Sequence, residues 1–595
     1  MAKINLGNKL PYLRYFYGQL GYRVFVVMLT SLLVGILDGF GLAMFLPLLE
    51  TVGSESPDSE NLGNFSFLLD YLDSSGIGVS VMSILLSMMV FFILKGIAKF
   101  AESMYKVRVQ QHFMKSIRYQ SINGLEGYKY TSFISADAGR IQNTLTGETS
   151  RMKTAFHSFS MTIQGGALVF IYALFAFNAN PEFTFFVAIG GGVTNLIFRG
   201  IYNRTKKLSR AYTTESNNFE GIIIQMVLFF KYLKATGEIG TYGRKLKRSV
   251  DQIQKDLLKF GFYDSVLKAS REPLIVTVVV LIIGVQVTYF DQPMSGIVLS
   301  LLFFYRALTQ LMVLQTNWNR FLETSGSLEN MSALLKDLED DKEVFGNEKF
   351  EKLNDDIRIE HLSFAYGEEN VIEDINLTIK KNSTVAFVGE SGSGKTTLAN
   401  VIAGLLPPTG GNVFVNQISL IDVDTGAYRN RIGYITQDPA IFTDTIFNNV
   451  TLWSEKTEEN VARFRRAIKD ASLDNFIQNL GEGENTEIGN NGINLSGGQK
   501  QRISIARELY KNVDILILDE ATSALDSATE LEIKESIEAL QGSYTIIMVA
   551  HRLSTIKSSD MVIVLQDGKL SAKGTYDSLV EENPEFCRMA SLQQL

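Results

Sequence analysis

The chain has 595 residues, 46% of them hydrophobic, and carries a formal net charge of −8. This length exceeds what one ordinary domain needs, and an acidic balance without a basic tail argues against nucleic acid as a partner. The single cysteine, Cys587, excludes a disulfide within the chain and a metal site built from cysteines.

The first part of the chain, up to about residue 335, contains six long apolar segments. Four of them contain no Asp, Glu, Lys or Arg, and a helix needs about 20 mainly apolar residues to cross a bilayer. The segments span residues 24–49, 79–94, 156–177, 183–198, 273–290 and 292–318. We predict a bundle of six transmembrane helices, which we favour over buried core helices of a large soluble protein. The preceding stretch, MAKINLGNKLPYLRYFYGQLGYR, is basic and aromatic, which is typical of a helix lying along the cytoplasmic membrane face.

The distribution of Lys and Arg between these segments predicts their orientation. The connections at 51–78, 178–182 and 291–296 contain neither residue, whereas Lys95–Lys153 contains ten and Arg199–Arg271 contains fifteen. Basic connections stay on the cytoplasmic side. We therefore predict a multi-pass protein of the cell (inner) membrane with both termini and the second half of the chain in the cytoplasm. The two basic connections are too long for turns, and we expect helices that project tens of ångströms from the membrane.

The first outer connection contains a short amphipathic piece, Phe65–Leu72, among five acidic residues and no basic ones. It could form a small helix on the outer membrane surface or a capped loop. The sequence leaves both alternatives open.

Arg306 is a charged residue inside the sixth apolar segment. Counted from Met294 at 1.5 Å per residue, it lies about 18 Å below the outer boundary, where an arginine costs roughly 3 kcal/mol on the insertion scale. It could pair with Asp38 of the first segment, or it could face a cavity that receives an anionic head group. Lys95 and Arg271 lie nearer the inner leaflet and could meet a phosphate there, although Lys95 could instead extend to the interface and Arg271 could only mark a helix start.

From about residue 356 the pattern changes to strands that alternate with helices. The run TVAFVGESGSGKTTLANVIAGLL combines a strand, a glycine-rich loop and a helix, which is the context of a G-x-x-x-x-G-K-[ST] phosphate loop. Gly389, Gly392 and Gly394 let backbone N–H groups wrap phosphates at a helix N-terminus. We expect Lys395 to reach the β- and γ-phosphates of ATP and the Thr396 hydroxyl to ligate Mg²⁺.

Three further strands end in polar residues. VDILILDE ends in Asp519 and Glu520, RIGYITQ ends in Gln437, and YTIIMVAH leads to His551. Because ligands bind at the carboxyl ends of parallel strands, one nucleotide pocket can collect all of these residues. Asp519 suits the Mg²⁺ shell, and Glu520 can act as general base toward the attacking water.

The run INLSGGQKQRISIARELY lies between RIGYITQ and VDILILDE. With it, the chain from about 356 to 580 resembles the nucleotide-binding domain of ATP-binding cassette (ABC) proteins. The resemblance implies that LSGGQ, Leu495–Gln499, is the family signature, which binds ATP held by the opposite subunit. One cassette per chain then implies a dimer, most simply a homodimer. SALD, Ser523–Asp526, matches the D-loop, and Asn490 stands where exporters of this family usually carry an acidic residue.

The same resemblance assigns roles to individual residues. Glu520 and His551 are the expected catalytic residues, with His551 contacting the γ-phosphate, and Thr396, Gln437 and Asp519 are the expected metal ligands. Tyr366 is expected to stack on adenine. The expected nucleotide-binding residues are Tyr366, Gly389, Glu390, Ser391, Gly392, Ser393, Gly394, Lys395, Thr396, Thr397, Gln437, Ser496, Gly497, Gly498 and Gln499.

The complete chain resembles an ABC exporter half-transporter: a membrane α-helical bundle fused to an α/β P-loop cassette. This implies a transmembrane domain over 1–335, a linker over 336–355 and a nucleotide-binding domain over 356–595. YTSFISADAGRIQNTLTGETSRM and ESNNFEGIIIQMVLFFKYLKATGE resemble the two coupling regions, of which the second crosses to the partner's cassette. Lys95, SREPL and YRALTQLM resemble parts of the lipid-linked oligosaccharide flippases of bacterial N-glycosylation.

We therefore predict an ATP hydrolase that exports or flips an amphipathic, anionic, lipid-linked substrate, with ATP and Mg²⁺ as cofactors. Its expected partners are a second copy of itself, membrane lipids and the substrate, and its expected substrate contacts are Lys95, Arg271 and Arg306. The alternatives are a multidrug or general lipid exporter of the same fold and an ATP-gated channel or regulatory ABC protein.

Overall fold

The computed structural model describes residues 11–53, 74, 78–136, 138–289, 294–489, 492, 494–520, 527–550 and 552–593. The chain divides into two compact units. The first, called here the membrane unit, comprises residues 1–128 and 136–342. The second, the cassette unit, comprises residues 129–135 and 343–595. The segment Phe65–Leu72, the D-loop Ser523–Asp526, Asn490 and His551 lie outside the described residues.

The described part of the membrane unit is almost entirely helical. Its elements are α1 Pro11–Leu20, α2 Arg23–Ala43, α3 Phe45–Gly53, α4 Val81–Glu126, α6 Ala138–Asn143, a π-helical turn Thr144–Glu148, α7 Thr149–Ala179, α8 Pro181–Leu228, α9 Phe230–Ala235, α10 Ile239–Tyr289 and α11 Met294–Asp340. The helices α4, α8, α10 and α11 contain 46, 48, 51 and 47 residues. At 1.5 Å per residue each is about 70 Å long or longer, more than twice the roughly 30 Å hydrocarbon core.

Three stretches of the described chain are long and apolar enough to cross a membrane: Arg23–Leu49, Val81–Glu126 and Ile141–Ala179. They include the first three predicted segments except residues 79 and 80. The other three predicted segments fall in α8, in α10 and around the start of α11, where many side chains are outside the described set. Because α10 continues without a break through Pro273, the expectation that Arg271 marks a helix start is wrong.

Small residues bring the membrane helices close together. A Cβ atom at Gly39 of α2 would approach the Phe175 ring of α7 to 2.7 Å, and one at Gly165 of α7 would lie 2.9 Å from the Leu314 Cβ of α11. In lipid the hydrophobic effect does not drive helices together, so the van der Waals contacts that this close approach allows stabilise the bundle. The helix α7 is thereby held between α2 and α11.

Aromatic side chains join α1 to the long helices. Phe16 is fully buried, and its ring stacks on Phe159 of α7 at 4.4 Å and meets Phe113 of α4 edge-on at 5.6 Å. The Phe159 ring packs on Phe321 of α11 at 5.5 Å. The predicted N-terminal amphipathic helix is therefore present in α1, and its apolar face packs on protein.

The cassette unit contains two sheets. The strands are β1 Ile357–Tyr366, β2 Glu369–Ile379, β3 Thr384–Val388, β4 Gly410–Val415, β5 Ile418–Ser419, β6 Ile432–Ile435, β7 Ile515–Asp519, β8 Thr545–Val549, β9 Met561–Gln566 and β10 Lys569–Gly574. One sheet has the order β2-β1-β4-β5 and is antiparallel. The other has the order β10-β9-β3-β8-β7-β6, and its strands from β9 to β6 are parallel. All five residues of β3 and of β8 are buried, as expected for a parallel sheet covered on both faces.

Helices connect and cover these strands. They are α12 Lys395–Ile402, α13 Thr425–Arg429, α14 Ile446–Thr451, α15 Glu458–Asp470, α16 Asp474–Gln478, α17 Gly497–Tyr510, α18 Ser527–Glu538, α19 Tyr576–Glu582 and α20 Pro584–Gln593, with 3₁₀ turns at Gly483–Asn485 and Leu553–Thr555. The short helix α5, Tyr130–Ser135, also belongs to this unit, although membrane-unit chain flanks it on both sides. Its Tyr130 is close enough to Tyr434 of β6 to act on it electrostatically.

Candidate nucleotide site

The loop between β3 and α12 has a backbone that requires glycine. Gly389 and Gly394 have φ angles of 151° and 96°, which L-residues rarely adopt. A Cβ atom at Gly389 would also lie 2.1 Å from the carbonyl oxygen of Leu565. The loop can therefore turn tightly into α12, whose first amides point toward the space a phosphate would occupy.

Lys395, the first residue of α12, is buried beneath this loop. Its Nζ donates hydrogen bonds to the carbonyl oxygens of Gly389 at 3.0 Å and Glu390 at 2.7 Å. Burial lowers the pKa of the Lys395 amine, and the nearby carboxylates of Glu520 and Asp519 oppose that shift. The amine also lies 3.5 Å from Ser393 Oγ. All of these loop partners are neutral, and a phosphate oxygen would satisfy the amine better.

The parallel order of the sheet brings the polar strand ends together. Thr396 Oγ1 donates to Asp519 Oδ1 at 3.1 Å, and Gln437 Nε2 donates to Glu520 Oε2 at 2.8 Å. Burial is the main cause of the raised pKa of Asp519. Glu520 has a φ of 49°, a left-handed conformation that a non-glycine residue adopts at a cost and that is common at functional sites.

Further expected residues lie at the end of β1 and in the loop before α12. Tyr366 ends β1 with 41% of its surface exposed, and its ring meets Phe364 edge-on at 4.8 Å. Ser393 is buried, whereas Glu390 and Ser391 are exposed. An exposed aromatic ring at the end of a strand can stack on a base.

The signature segment forms the N-terminus of α17. Ser496 is the N-cap residue: its Oγ accepts from the Gln499 amide at 3.3 Å, and the Gln499 Oε1 accepts from the Ser496 amide at 2.9 Å. Ser496 and Gly497 are exposed. This reciprocal capping box leaves an exposed helix N-terminus with a hydroxyl group, which is suited to an anion.

The fold and this site agree with what the chain is similar to. Residues 372–523 match the family model of the ABC transporter. The heterocyst differentiation ATP-binding protein HepA of a Nostoc species is 30% identical over 502 residues, which cover 82% of this chain and 80% of that relative.

The chain belongs to the ABC transporter family.

Other relatives and a solved structure extend the likeness along the chain. An ATP-dependent lipid A-core flippase of Cupriavidus pinatubonensis is 28% identical over 511 residues, covering 84% of this chain and 86% of the relative. The structure of a bacterial Atm1-family ABC exporter with ATP bound matches with a TM-score of 0.74 at 20% identity, covering 96% of this chain and 98% of the other. The predicted fold class is confirmed: the protein is an ABC half-exporter with a helical membrane domain and a P-loop cassette. It is a membrane protein that binds ATP and couples ATP hydrolysis to transport.

The exporter does not form the ion pair between Asp38 and Arg306 that was one alternative. Asp38 is 1% exposed, and its Oδ1 accepts from Lys95 Nζ at 2.5 Å while its Oδ2 accepts from the Tyr172 hydroxyl. Arg306 is half-buried and has no ion pair within 4.0 Å among the described residues. The Phe303 ring, one turn from Arg306, packs on Phe175 at 5.3 Å, so Arg306 lies level with Tyr172.

A buried charged cluster was not anticipated. Glu102 of α4 is fully buried and accepts hydrogen bonds from Ser31 Oγ at 2.5 Å, Lys99 Nζ at 2.7 Å and Lys106 Nζ at 2.8 Å. Lys106 also donates to Gln164 of α7 at 2.5 Å. The available signal was spacing: residues 95, 99, 102 and 106 follow one face of α4, and that face meets α2 and α7.

The donor set of the nucleotide site fits a magnesium ion. Thr396 Oγ1 and Asp519 Oδ1 are hard oxygen ligands 3.1 Å apart, close to the spacing of about 3 Å between neighbouring oxygens that each lie 2.0–2.1 Å from Mg²⁺. Among the described residues no group of three or more His, Cys, Asp or Glu side chains could hold a metal by itself. A metal at this position would therefore also need phosphate oxygens, as Mg²⁺ in nucleotide sites does.

Proposed function

We propose that this exporter flips an amphipathic, anionic, lipid-linked molecule from one leaflet of the cell membrane to the other. The observation that carries the proposal is Arg306, a half-buried arginine of α11 without an ion pair among the described residues. Asp38, the nearest candidate by depth, already has Lys95 and Tyr172 as partners. Relatives described as ATP-dependent lipid A-core flippases support a lipid with an anionic head group as the cargo.

The cost of the arginine supports a functional role. A charge near mid-membrane must face a partner or water. Guanidinium forms bidentate hydrogen bonds with phosphate or pyrophosphate. An arginine that is available inside the bundle can therefore select an anionic head group over a neutral one.

The other two expected substrate contacts have different standing. Lys95 is neutralised by Asp38, although 27% of its side chain is exposed, and we propose it as a secondary contact on the path of the head group. Arg271 lies inside α10, and its proposed contact rests on its position near the inner leaflet.

At the nucleotide site we propose a division of labour among residues of this chain. Lys395 and the loop amides hold the phosphates, and Tyr366 holds the adenine ring. Thr396, Gln437 and Asp519 hold Mg²⁺, which when bound neutralises phosphate charge. Glu520 accepts a proton from the attacking water while His551 contacts the γ-phosphate.

We propose a homodimer in which each ATP lies between the phosphate loop of one copy and the signature of the other. The exposed N-terminus of α17 supports this arrangement because its anion-binding groups are then used by the partner's ATP.

The apolar tip at α9 is a second feature that suits a dimer. Phe229 and Tyr232 are 54% and 67% exposed and line a cavity of about 450 Å³. An apolar surface of this kind suits a protein partner, and we propose the partner's cassette. The membrane units then lie in the inner membrane of a cell that has two membranes, and the cassettes and both termini lie in the cytoplasm.

The comparisons favour neither an ATP-gated channel or regulatory ABC protein nor a multidrug or general lipid exporter. A channel would pass ionic current when ATP binds, whereas a flippase would not. A general drug exporter would respond to neutral amphiphiles as strongly as to anionic lipids.

The test uses purified protein in nanodiscs and in proteoliposomes. ATPase activity and leaflet exchange are measured against a polyprenyl-pyrophosphate-linked sugar and against a neutral polyprenol. We expect the anionic lipid to stimulate turnover and to be exchanged in wild type and Arg306→Lys, and stimulation to be lost in Arg306→Ala with basal ATPase retained. Tyr305→Ala is the matched control because Tyr305 is adjacent on α11 and 60% exposed. Equal responses to both lipids, or full stimulation of Arg306→Ala, would refute the proposal.

A further inference from the structure

The Asp519 carboxylate and three other side chains form a hydrogen-bonded ring. Thr396 Oγ1 contacts Asp519 Oδ1 at 3.1 Å, the Tyr434 hydroxyl lies 3.5 Å from Asp519 Oδ2, and the same hydroxyl donates to Asn400 Oδ1 at 2.8 Å. Thr396 and Asn400 are four residues apart on α12 and so share one face. The helix closes the ring.

The fold holds this ring in place from three sides. Tyr434 is on β6, which pairs in parallel with β7, the strand that ends at Asp519. Asn400 is 9% exposed, and Tyr434 is half-buried. Low exposure makes each missing hydrogen bond expensive, so the arrangement of donors and acceptors matters.

The phenol of Tyr434 has one proton and two acceptors within reach. In the conformation described, that proton is on the shorter contact, to Asn400. The Thr396 hydroxyl has one proton and two lone pairs, so it can donate to Asp519 Oδ1 while a lone pair meets a metal. Thr396 serves the first carboxylate oxygen, and the phenol is the side-chain donor in this ring for the second, Asp519 Oδ2.

We propose that Tyr434 is a positioning residue for the metal-binding carboxylate. The inference rests on the proposed role of Thr396 and Asp519 as metal ligands. Tyr434 fixes the orientation of Asp519 through its second oxygen, and Asn400 competes with Asp519 for the phenol proton. Hydrogen-bond partners of metal ligands typically change metal affinity 10- to 100-fold when removed.

The experiment measures ATP binding by the full-length dimer as Mg²⁺ is titrated from zero, in an assay without hydrolysis. We expect Tyr434→Phe to raise the half-saturating Mg²⁺ concentration by about 10-fold and to leave ATP affinity in EDTA unchanged. At saturating Mg²⁺ the kcat of Tyr434→Phe should remain within about threefold of wild type, because the metal is restored by mass action. Tyr428→Phe is the matched control: its hydroxyl donates to the Ile402 carbonyl at 2.9 Å in the same unit, away from Asp519.

A second variant separates positioning from general stability. Asn400→Ala frees the phenol proton for Asp519, so its half-saturating Mg²⁺ concentration should not rise above that of wild type. If Tyr434→Phe behaves like Tyr428→Phe, or if Asn400→Ala shifts the titration as Tyr434→Phe does, the positioning role is refuted. If wild type binds ATP equally with and without Mg²⁺, the proposed metal role itself fails.

Discussion

Glu520 combines an unusual backbone with a side chain in the nucleotide site. Its φ of 49° turns the residue after β7, and its amide donates to the Val549 carbonyl at 3.0 Å while its carboxylate accepts from Gln437. The neighbouring strand therefore stabilises a conformation that costs of order 1–3 kcal/mol. Strain at this position is consistent with a side chain aimed at a reacting atom.

The first prediction concerns this carboxylate. Glu520→Gln keeps the size of the side chain and removes the base, so ATP hydrolysis should fall by roughly 10²–10⁴-fold with ATP binding retained. Glu520→Gly should be equally inactive, but its melting temperature should not fall because glycine relieves the backbone strain. Glu360→Gln, at an exposed ion pair with Arg358, controls for loss of a carboxylate. Hydrolysis within tenfold of wild type in Glu520→Gln would remove the residue from the mechanism.

The second prediction concerns the buried ion pair in the membrane unit. Asp38→Ala leaves Lys95 without its charged partner, and breaking a buried pair in this way typically costs about 3–5 kcal/mol. We expect a clear loss of melting temperature in Asp38→Ala and a smaller loss in the double variant Asp38→Ala with Lys95→Met, which removes both charges. Equal losses in the two proteins, measured in the same detergent, would mean that the pair is not coupled.

Sequence reasoning located the depth of these charges but not their partners. Rise per residue places Asp38 and Arg306 at similar levels, yet pairing also depends on which face of each helix is turned inward. The rotation of α4 and the contact of α7 with α2 decide that Lys95 and Tyr172 reach Asp38. Strand ends in the cassette are different: parallel pairing alone brings Asp519, Glu520 and Gln437 to one edge, so spacing in the sequence was sufficient there.

At the level of whole elements, the packing of α2 on α7 depends on the absence of side chains. Gly39 lies against the Phe175 ring, and Gly35 lies against Leu168, with projected Cβ contacts of 2.7 and 2.9 Å. These contacts set the distance between the helices that hold Asp38 and Tyr172. A larger residue at either glycine would separate the two helices and lengthen the hydrogen bond from Tyr172 to Asp38.

The third prediction tests this contact. Gly39→Val should destabilise the membrane unit by about 1–3 kcal/mol through overpacking, seen as a lower melting temperature in detergent. Phe175→Ala in the same chain should recover part of the loss. The matched control is Gly96→Val on α4, since a Cβ at Gly96 meets nothing within 4 Å. A similar loss in both glycine variants would point to helix propensity or insertion as the cause.

The sequence pattern predicted the long helices but not the course of α10. The predicted cytoplasmic extensions correspond to helices of 46 to 51 residues, because apolar segments run without breakers into charged amphipathic stretches. The uninterrupted course of α10 through Pro273 was not foreseen. A proline inside a helix removes one hydrogen bond, and the surrounding bundle tolerates this because neighbouring groups can compensate.

For the whole molecule, the proposed homodimer predicts that two inactive variants complement each other when they pair. Lys395→Ala disables the phosphate loop, and Ser496→Asp keeps a good N-cap but repels phosphate. Each variant alone should lack ATPase activity. Co-expressed, they form mixed dimers with one doubly defective site and one intact site, so purified mixed dimers should recover about half of wild-type activity if the sites are independent, and the unfractionated mixture about a quarter.

The control for this experiment verifies that mixed dimers have formed. Each variant carries a different affinity tag, and sequential purification on both tags isolates the mixed dimers. A lack of recovered activity in mixed dimers verified in this way would argue against sites shared between subunits or against independent sites.

The division into units has a consequence for biosynthesis. Residues 129–135 belong to the cassette unit, yet the rest of that unit begins only at residue 343. A ribosome adding 5–20 residues per second reaches this point about 200 residues, or roughly 10–40 s, after α5 has been made. During that interval the loop between α4 and α6 has no finished surface to join. The rest of the unit runs to residue 595, so α5 must stay exposed beyond that interval, until the cassette has been made. A chain truncated before residue 343 would leave a membrane bundle with an unpaired α5 for quality control to recognise.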